Sequence, residues 1–379
     1  MSKEELRGGA TRLSLFNIGL YVFMFSSPIF FLLPWDLNMA QGLFFVFGVF
    51  TLMGLALLDD AQRVFRGKFL GLMILWSLAG VFIHTFQFGF NKTNITGFIN
   101  FALMSEGFIY VLCGCLLYWL VFSCSRRMNI FYPILAVSVL NLFFAITQKF
   151  GIYLIWQNIM QVSAYGNEIA NISGLMGTKS QLAVFSAISF PILWHFCKPA
   201  SFIALINLWL ANSFTGAMAL FLAIGLYLLL KREWRFLFVF FGLGTLLMIF
   251  YVGWEKLPLR PVAWVYTLKE IIQHPFIGWG FDNSTNGNKI FVRDEMVFRH
   301  NDYLNVARDL GLPFLGIIGV FIWNFFKGIK VDYLWVAIVT AGIACFFQTN
   351  FYFPRIAGIV IILMALKDIE KCRIPIAQQ

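Results

Sequence analysis

Residues 260–311 read RPVAWVYTLKEIIQHPFIGWGFDNSTNGNKIFVRDEMVFRHNDYLNVARDLG. This is the one long polar interruption in a chain that is otherwise a succession of hydrophobic runs. Its contrast with what flanks it decides the architecture. The flanking runs are 13–33, 37–58, 69–90, 107–122, 130–150, 182–196, 202–211, 217–230, 236–252, 312–326, 333–347 and 356–366. A run of about 20 apolar residues crosses roughly 30 Å of hydrocarbon as a helix, and the 379 residues are 60% hydrophobic with only 12% charged. The expected fold class is an all-α membrane protein of about twelve transmembrane helices. The whole chain, 1–379, forms a single polytopic membrane domain, with residues 253–311 inserted as a large extramembrane loop between helices 9 and 10.

The placement of positive charge orients that scheme. Basic residues gather in alternate turns, at Arg63, Arg66 and Lys68, at Arg126 and Arg127, at Lys198, at Lys231, Arg232 and Arg235, at Lys327 and Lys330, and in the tail at Lys367, Lys371 and Arg373. The short turns of the other parity carry only Lys92, Lys149, Lys179 and Arg355. Cytoplasmic loops are the ones enriched in Lys and Arg, so both termini are expected in the cytoplasm and the insertion outside. Reading 202–211 and 217–230 as one helix would break this parity; two helices are expected. The net charge of +10 is spread over these turns rather than over one face, which excludes a nucleic-acid surface and leaves membrane lipids as the partner. The six cysteines lie in or beside the hydrophobic runs, outside the insertion, and give no disulfide framework. The first run follows Lys3, Arg7 and Arg12 but is too long for a signal peptide and lacks a cleavage site, so it is expected to be a retained helix.

Within the insertion, Pro261 suits a first helical position, and Trp264, Val265, Leu268, Ile271 and Ile272 recur at helical spacing opposite Thr267, Lys269, Glu270 and Gln273. An amphipathic helix ending near His274-Pro275 and resting on the membrane is expected. A glycine- and asparagine-rich loop follows. Asn301 then caps a helix from Asp302 to Leu310, with Gly311 as its left-handed stop and Pro313 just beyond. His300 stands at the mouth of that helix, where free N–H groups and the positive end of the dipole attract phosphate oxygens. Arg299 beside it and the dipole favour the neutral imidazole, the form that accepts a proton. By themselves Arg299 and Arg308 read as surface charges, with Arg308 able to pair with Asp302 or Asp309; those two aspartates, seven residues apart on a helix, suit solvent exposure as much as a carboxylate pair for acid–base work. A second outer segment, 151–179, carries Tyr153, Trp156 and Tyr165 and is expected at the bilayer surface.

The runs HPFIGWGFDNS (274–284) and RHNDYLNVARDLGLPFLGIIG (299–319) resemble the signature segment of the O-antigen ligase and O-antigen polymerase family, glycosyltransferases of the bacterial inner membrane. The resemblance extends to Arg260 ahead of the tryptophan of PVAW and to Gly177-Thr178-Lys179-Ser180-Gln181-Leu182-Ala183 opening a helix. It implies a periplasmic catalytic loop and transfer of a glycan from undecaprenyl pyrophosphate to an acceptor hydroxyl, inverting and without metal or other cofactor. The acceptor would be a lipid A core or a second lipid-linked glycan. His300 would activate the acceptor, Arg260, Arg299 and Lys179 would hold the pyrophosphate, and Asn301 and Tyr303 would shape the site. Many members carry a serine-arginine-glycine motif where this chain has Asn212-Ser213-Phe214-Thr215-Gly216-Ala217, with no arginine; Lys179, Arg299 and Arg355 are the cations left to replace it. The alternative is a transporter or flippase of the same lipid-linked glycan, for which Glu106, at the edge of a run, is the one ionisable residue within the helices to consider.

Overall fold

The computed structural model describes residues 15–26, 37–58, 68–84, 94–124, 129–154, 172–240, 242, 259–280, 289–292, 295–298, 301–347 and 354–373. In chain order the helices are α1 (Leu15–Ser26), α2 (Leu37–Leu58), α3 (Lys68–His84), α4 (Asn94–Cys124), α5 (Phe131–Lys149), α6 (Lys179–Phe196), α7 (Lys198–Ala211), α8 (Phe214–Leu230), α9 (Leu259–Gln273), α10 (Asp302–Phe326), α11 (Tyr333–Phe347) and α12 (Pro354–Arg373). Residues 234–240 are also helical. The expected helical class is therefore seen, with one exception. Lys289–Val292 (β1) and Glu295–Phe298 (β2) pair antiparallel, Lys289 opposite Phe298 and Val292 opposite Glu295. These short β-branched and aromatic runs favour a pleated ribbon, which a reading tuned to helical periods passes over.

Among the described residues, α5 and α10 are long and apolar enough to cross a membrane, and α1, α7, α8 and α11 are apolar but shorter. The outer surface is apolar too: Val22, Phe47, Leu75, Trp209, Phe238 and Trp323 are all more than half exposed, a surface suited to hydrocarbon rather than water. Residues 198–230 do form two helices. Asn212, at φ 44 and ψ 52, breaks the chain between α7 and α8. At the front of α4 the expectation fails, because helix begins at Asn94 and 94–106 are not a turn. Glu106 accordingly falls inside a helix rather than at its edge.

The core is built around α6, whose residues from Gln181 to Ser189 are all buried. It packs against α5, α7, α8 and α11. Against α8 the backbones nearly touch: a Cβ on Gly216 would lie 2.5 Å from the carbonyl of Ala183. Small residues permit such approach where lipid supplies no hydrophobic drive between helices. Ser186 and Ser189 donate back to the carbonyls of Leu182 and Phe185 at 2.7 Å, so their hydroxyls are satisfied within the helix.

The segment before α6 corrects a second expectation. Residues 151, 152 and 154 are exposed, as a surface piece should be, and 155–171, with Trp156 and Tyr165, lie outside the described residues. Residues 173–177, however, are buried in the bundle without helical hydrogen bonds of their own. Two amides of α5 satisfy that backbone. Gln148 Oε1 accepts from Ser173 N (2.9 Å) and Gly174 N (3.0 Å), Gln148 Nε2 donates to Gly174 O (3.1 Å), and Asn141 Oδ1 accepts from Leu175 N (2.8 Å). Non-helical backbone at this depth is tolerated only where protein supplies such partners.

Replacing Gln148 by leucine keeps the volume but strands three backbone groups. Each stranded buried group costs about 1–3 kcal/mol, so Gln148→Leu is expected to lower the thermal midpoint in detergent by several degrees and to speed amide exchange at 173–175. Unchanged exchange there would refute the role given to this side chain.

Candidate functional site

The two halves of the polar insertion are joined by their backbones. Helix α10 is interrupted at Gly311, whose φ of 83 and ψ of 166 place it in a region essentially reserved for glycine. The expected stop is there, but it is extended rather than left-handed helical, and the chain resumes as helix. Pro313 has no N–H to give to Asp309, and the Leu312 N–H turns away to the Pro275 carbonyl (2.8 Å). The carbonyls of Arg308 and Asp309 instead accept from Trp279 N (2.8 Å) and Gly280 N (2.9 Å). Residues 275–280 are thus stitched to the break in α10.

That contact leaves no room for side chains. A Cβ on Gly311 would fall 2.2 Å from the Phe276 carbonyl oxygen, and one on Gly278 would fall 2.5 Å from the Arg308 and Asp309 carbonyls. Trp279 closes the unit by donating its indole N–H to the Glu270 carbonyl (3.0 Å), with its ring edge-on to His274 at 4.1 Å. From another helix, the indole N–H of Trp76 reaches the Leu310 carbonyl at 3.0 Å. The HPFIGWG and ARDLG segments are one structural element.

The charges of this element are not on the surface. Arg308, Asp302 and Asp309 are all buried, so Arg308 is not the surface charge expected, and the two aspartates are not solvent-exposed. Arg308 Nη1 donates to Asp309 Oδ1 (2.9 Å), and Arg308 Nε lies 3.6 Å from Glu270 Oε2, which ties α10 to α9. A carboxylate on each side compensates a guanidinium that would otherwise be costly to bury. Helix α9 keeps Val265, Leu268 and Ile272 on its outer face, as expected of a helix resting on a membrane, and packs inward by a stripe of small residues and Ile271. Ala263, Thr267 and Ile271 are its buried stripe, the Thr267 hydroxyl donating to the Ala263 carbonyl.

At the head of α10, the Asn301 side chain accepts from Leu304 N at 3.0 Å, the expected cap. The Tyr303 hydroxyl donates to the Gly342 carbonyl of α11 at 2.8 Å. Around the end of α11 other helix starts collect. Trp264, one turn after Arg260, meets Phe346 at 5.2 Å between ring centres, and Phe214, first in α8, meets Phe347 at 6.2 Å. Ser213 Oγ lies 3.4 Å from Ser180 Oγ, and the Thr178 hydroxyl caps α6 by accepting from Gln181 N. The N-termini of α6, α8, α9 and α10 therefore gather at one end of the bundle, each bringing the positive end of its dipole.

Of the residues singled out from the sequence, the structure brings Lys179, Asn301, Tyr303 and the helical position of Arg260 to this end. Lys179 is exposed and Asn301 is buried. His300 and Arg299 lie outside the described residues, and of Arg260 the backbone alone is described. Two buried carboxamides escaped the sequence reading. Asn305 is 1% exposed, and among the described residues neither of its amide atoms is hydrogen-bonded; the amide nitrogen of Gln181, also 1% exposed, likewise has no partner among them. The signal was present in the spacing of Asp302, Asn305 and Asp309, which repeats on one face of an otherwise apolar helix.

No family model and no curated protein sequence matches this chain. The functional reading therefore stands on the residues and their arrangement.

Gly311→Ala combines a forbidden backbone angle, worth about 1–3 kcal/mol, with a collision against Phe276. It is expected to destabilise the fold or abolish the stitch, read as a lowered thermal midpoint and faster exchange of the Trp279 and Gly280 amides. By contrast, Asn301→Ala should cost about 1 kcal/mol and Asn301→Asp almost nothing.

Proposed function

We propose that this chain is a multi-pass glycosyltransferase of the bacterial inner membrane, of the O-antigen ligase or polymerase type, acting at the periplasmic face. The observation that carries the reading is the convergence of four helix N-termini beside the glycine-stitched insertion, at the end where Lys179 and the start of α9 lie. Such an end suits a diphosphate, because preorganised N–H donors and cations stabilise the charge that develops as a pyrophosphate leaves.

The step is a direct displacement. An acceptor hydroxyl oxygen forms a bond to the anomeric carbon while the bond from that carbon to the pyrophosphate oxygen breaks. His300 takes the hydroxyl proton, undecaprenyl pyrophosphate departs with the bonding pair, and the configuration at the carbon inverts. Arg260 and Arg299 clamp the diphosphate. Ser213, in the stretch Asn212–Ala217 that lacks an arginine, lies 3.4 Å from Ser180, which favours Lys179 at the adjoining helix start as the second cation of this scheme. Twelve crossings, cytoplasmic termini and an acceptor that is a lipid A core or a second lipid-linked glycan belong to this same proposal.

Purified protein given carrier-linked glycan and either acceptor, with products read on a gel, tests it. His300→Ala is expected to lose about 10²–10⁴-fold in transfer while still binding the donor, and chelators should change nothing. A full rate in His300→Ala would remove the mechanism. Lys179→Gln should weaken donor binding and leave the fold intact. Movement of labelled lipid across vesicles without a new glycosidic bond would favour the flippase instead.

A further inference from the structure

The opposite end of the bundle holds a cavity of about 240 Å³ that the proposed transfer does not use. Tyr118, Trp119, Phe122 and Phe321 line it together with Asp368 and Lys371, and exposed Asn324 marks its mouth. These residues come from the last turns of α4, α10 and α12, so the cavity sits where the helices end near Lys327 and Lys330. Tyr118 and Phe122 stand parallel, 2° apart in plane, with Phe321 edge-on to Tyr118 at 5.6 Å.

Two opposite charges on this wall are held apart. Asp368 and Lys371 are one turn apart on α12, close enough to pair, yet neither has an ion-pair partner among the described residues. Asp368 Oδ2 accepts from the Tyr118 hydroxyl at 3.1 Å, leaving Oδ1 open. Lys371 Nζ donates to the carbonyls of Asn324 (3.1 Å) and Phe325 (3.5 Å), leaving one of its three N–H groups. Aromatic faces beside a free carboxylate oxygen attract a cation, and an ammonium with a spare N–H attracts a phosphate. The volume is below the roughly 300–1,000 Å³ of sites for drug-sized ligands, too small for a glycan and suited to a headgroup.

We infer that this cavity binds an aminoalkyl phosphate group, its primary ammonium on Asp368 beside the aromatic wall and its phosphate on Lys371. The same chemistry is found in an ethanolamine phospholipid and in free phosphoethanolamine. A primary ammonium is preferred over choline because it alone can donate an N–H to Asp368 Oδ1.

The full-length protein in detergent, titrated with ethanolamine, choline and glycerol phospholipids and with soluble phosphoethanolamine, tests this by native mass spectrometry and thermal shift. The ethanolamine lipid is expected to bind at least about tenfold more tightly than the other two, and Asp368→Asn to lose about tenfold, as removal of a charged hydrogen bond does. Lys371→Arg should keep binding. Asp368→Asn should leave the thermal midpoint of the lipid-free protein unchanged, separating loss of the ligand from loss of the fold. Binding of the lipid alone assigns the site to the membrane, and binding of both assigns it to the headgroup chemistry itself. Equal affinity for all three lipids, no binding in either arm, or full binding by Asp368→Asn would overturn the assignment.

Discussion

The arrangement depends on a broken helix whose free carbonyls are used by another part of the chain. At Gly311 the ladder of α10 fails because Pro313 lacks a donor and Leu312 donates elsewhere. Two carbonyls deep in the protein then need partners, and Trp279 and Gly280 supply them. Backbone-to-backbone bonding at this distance tolerates no Cβ, so glycine at 278 and 311 is a geometric requirement. Once formed, the stitch sets where α9 ends, where Arg308 meets Glu270, and how the first turns of α10 stand against α11.

The remaining buried polarity follows the same logic of internal satisfaction. Gln148 and Asn141 carry a non-helical segment into the core. At the other end, fully buried Lys367 is held by Asp332 and Glu370, while Asp332 also caps α11 by accepting from Trp335 N. With two carboxylates on one buried ammonium, loss of either acid still leaves Lys367 a partner. The bundle is therefore polar at its two ends for different reasons. One end gathers helix starts and exposed donors, and the other pairs acids with bases around helix ends and an aromatic cavity.

Much of this was legible from residue order because it is local. The apolar runs, the two helices on either side of Asn212, the Asn301 cap, the end of α9 before Pro275 and the break at Gly311 each depend on residues within a turn or two of one another. The hairpin was missed because its strands are only four residues each, too short for a clear alternation. The inward stripe of α9 was not legible because Ala263 and Thr267, which are buried, carry little hydrophobic signal.

By itself the sequence determined the helical class, the polar insertion and the positions where helices begin, stop and break, since these follow from side-chain period, backbone restriction and capping within short stretches. Only the tertiary structure decided which helix starts share one end, that Arg308, Asp302 and Asp309 are buried, and that Asp368 and Lys371 are kept from each other. Those outcomes rest on contacts between residues far apart in the chain, where burial and hydrogen-bond partners come from neighbours that no local pattern names.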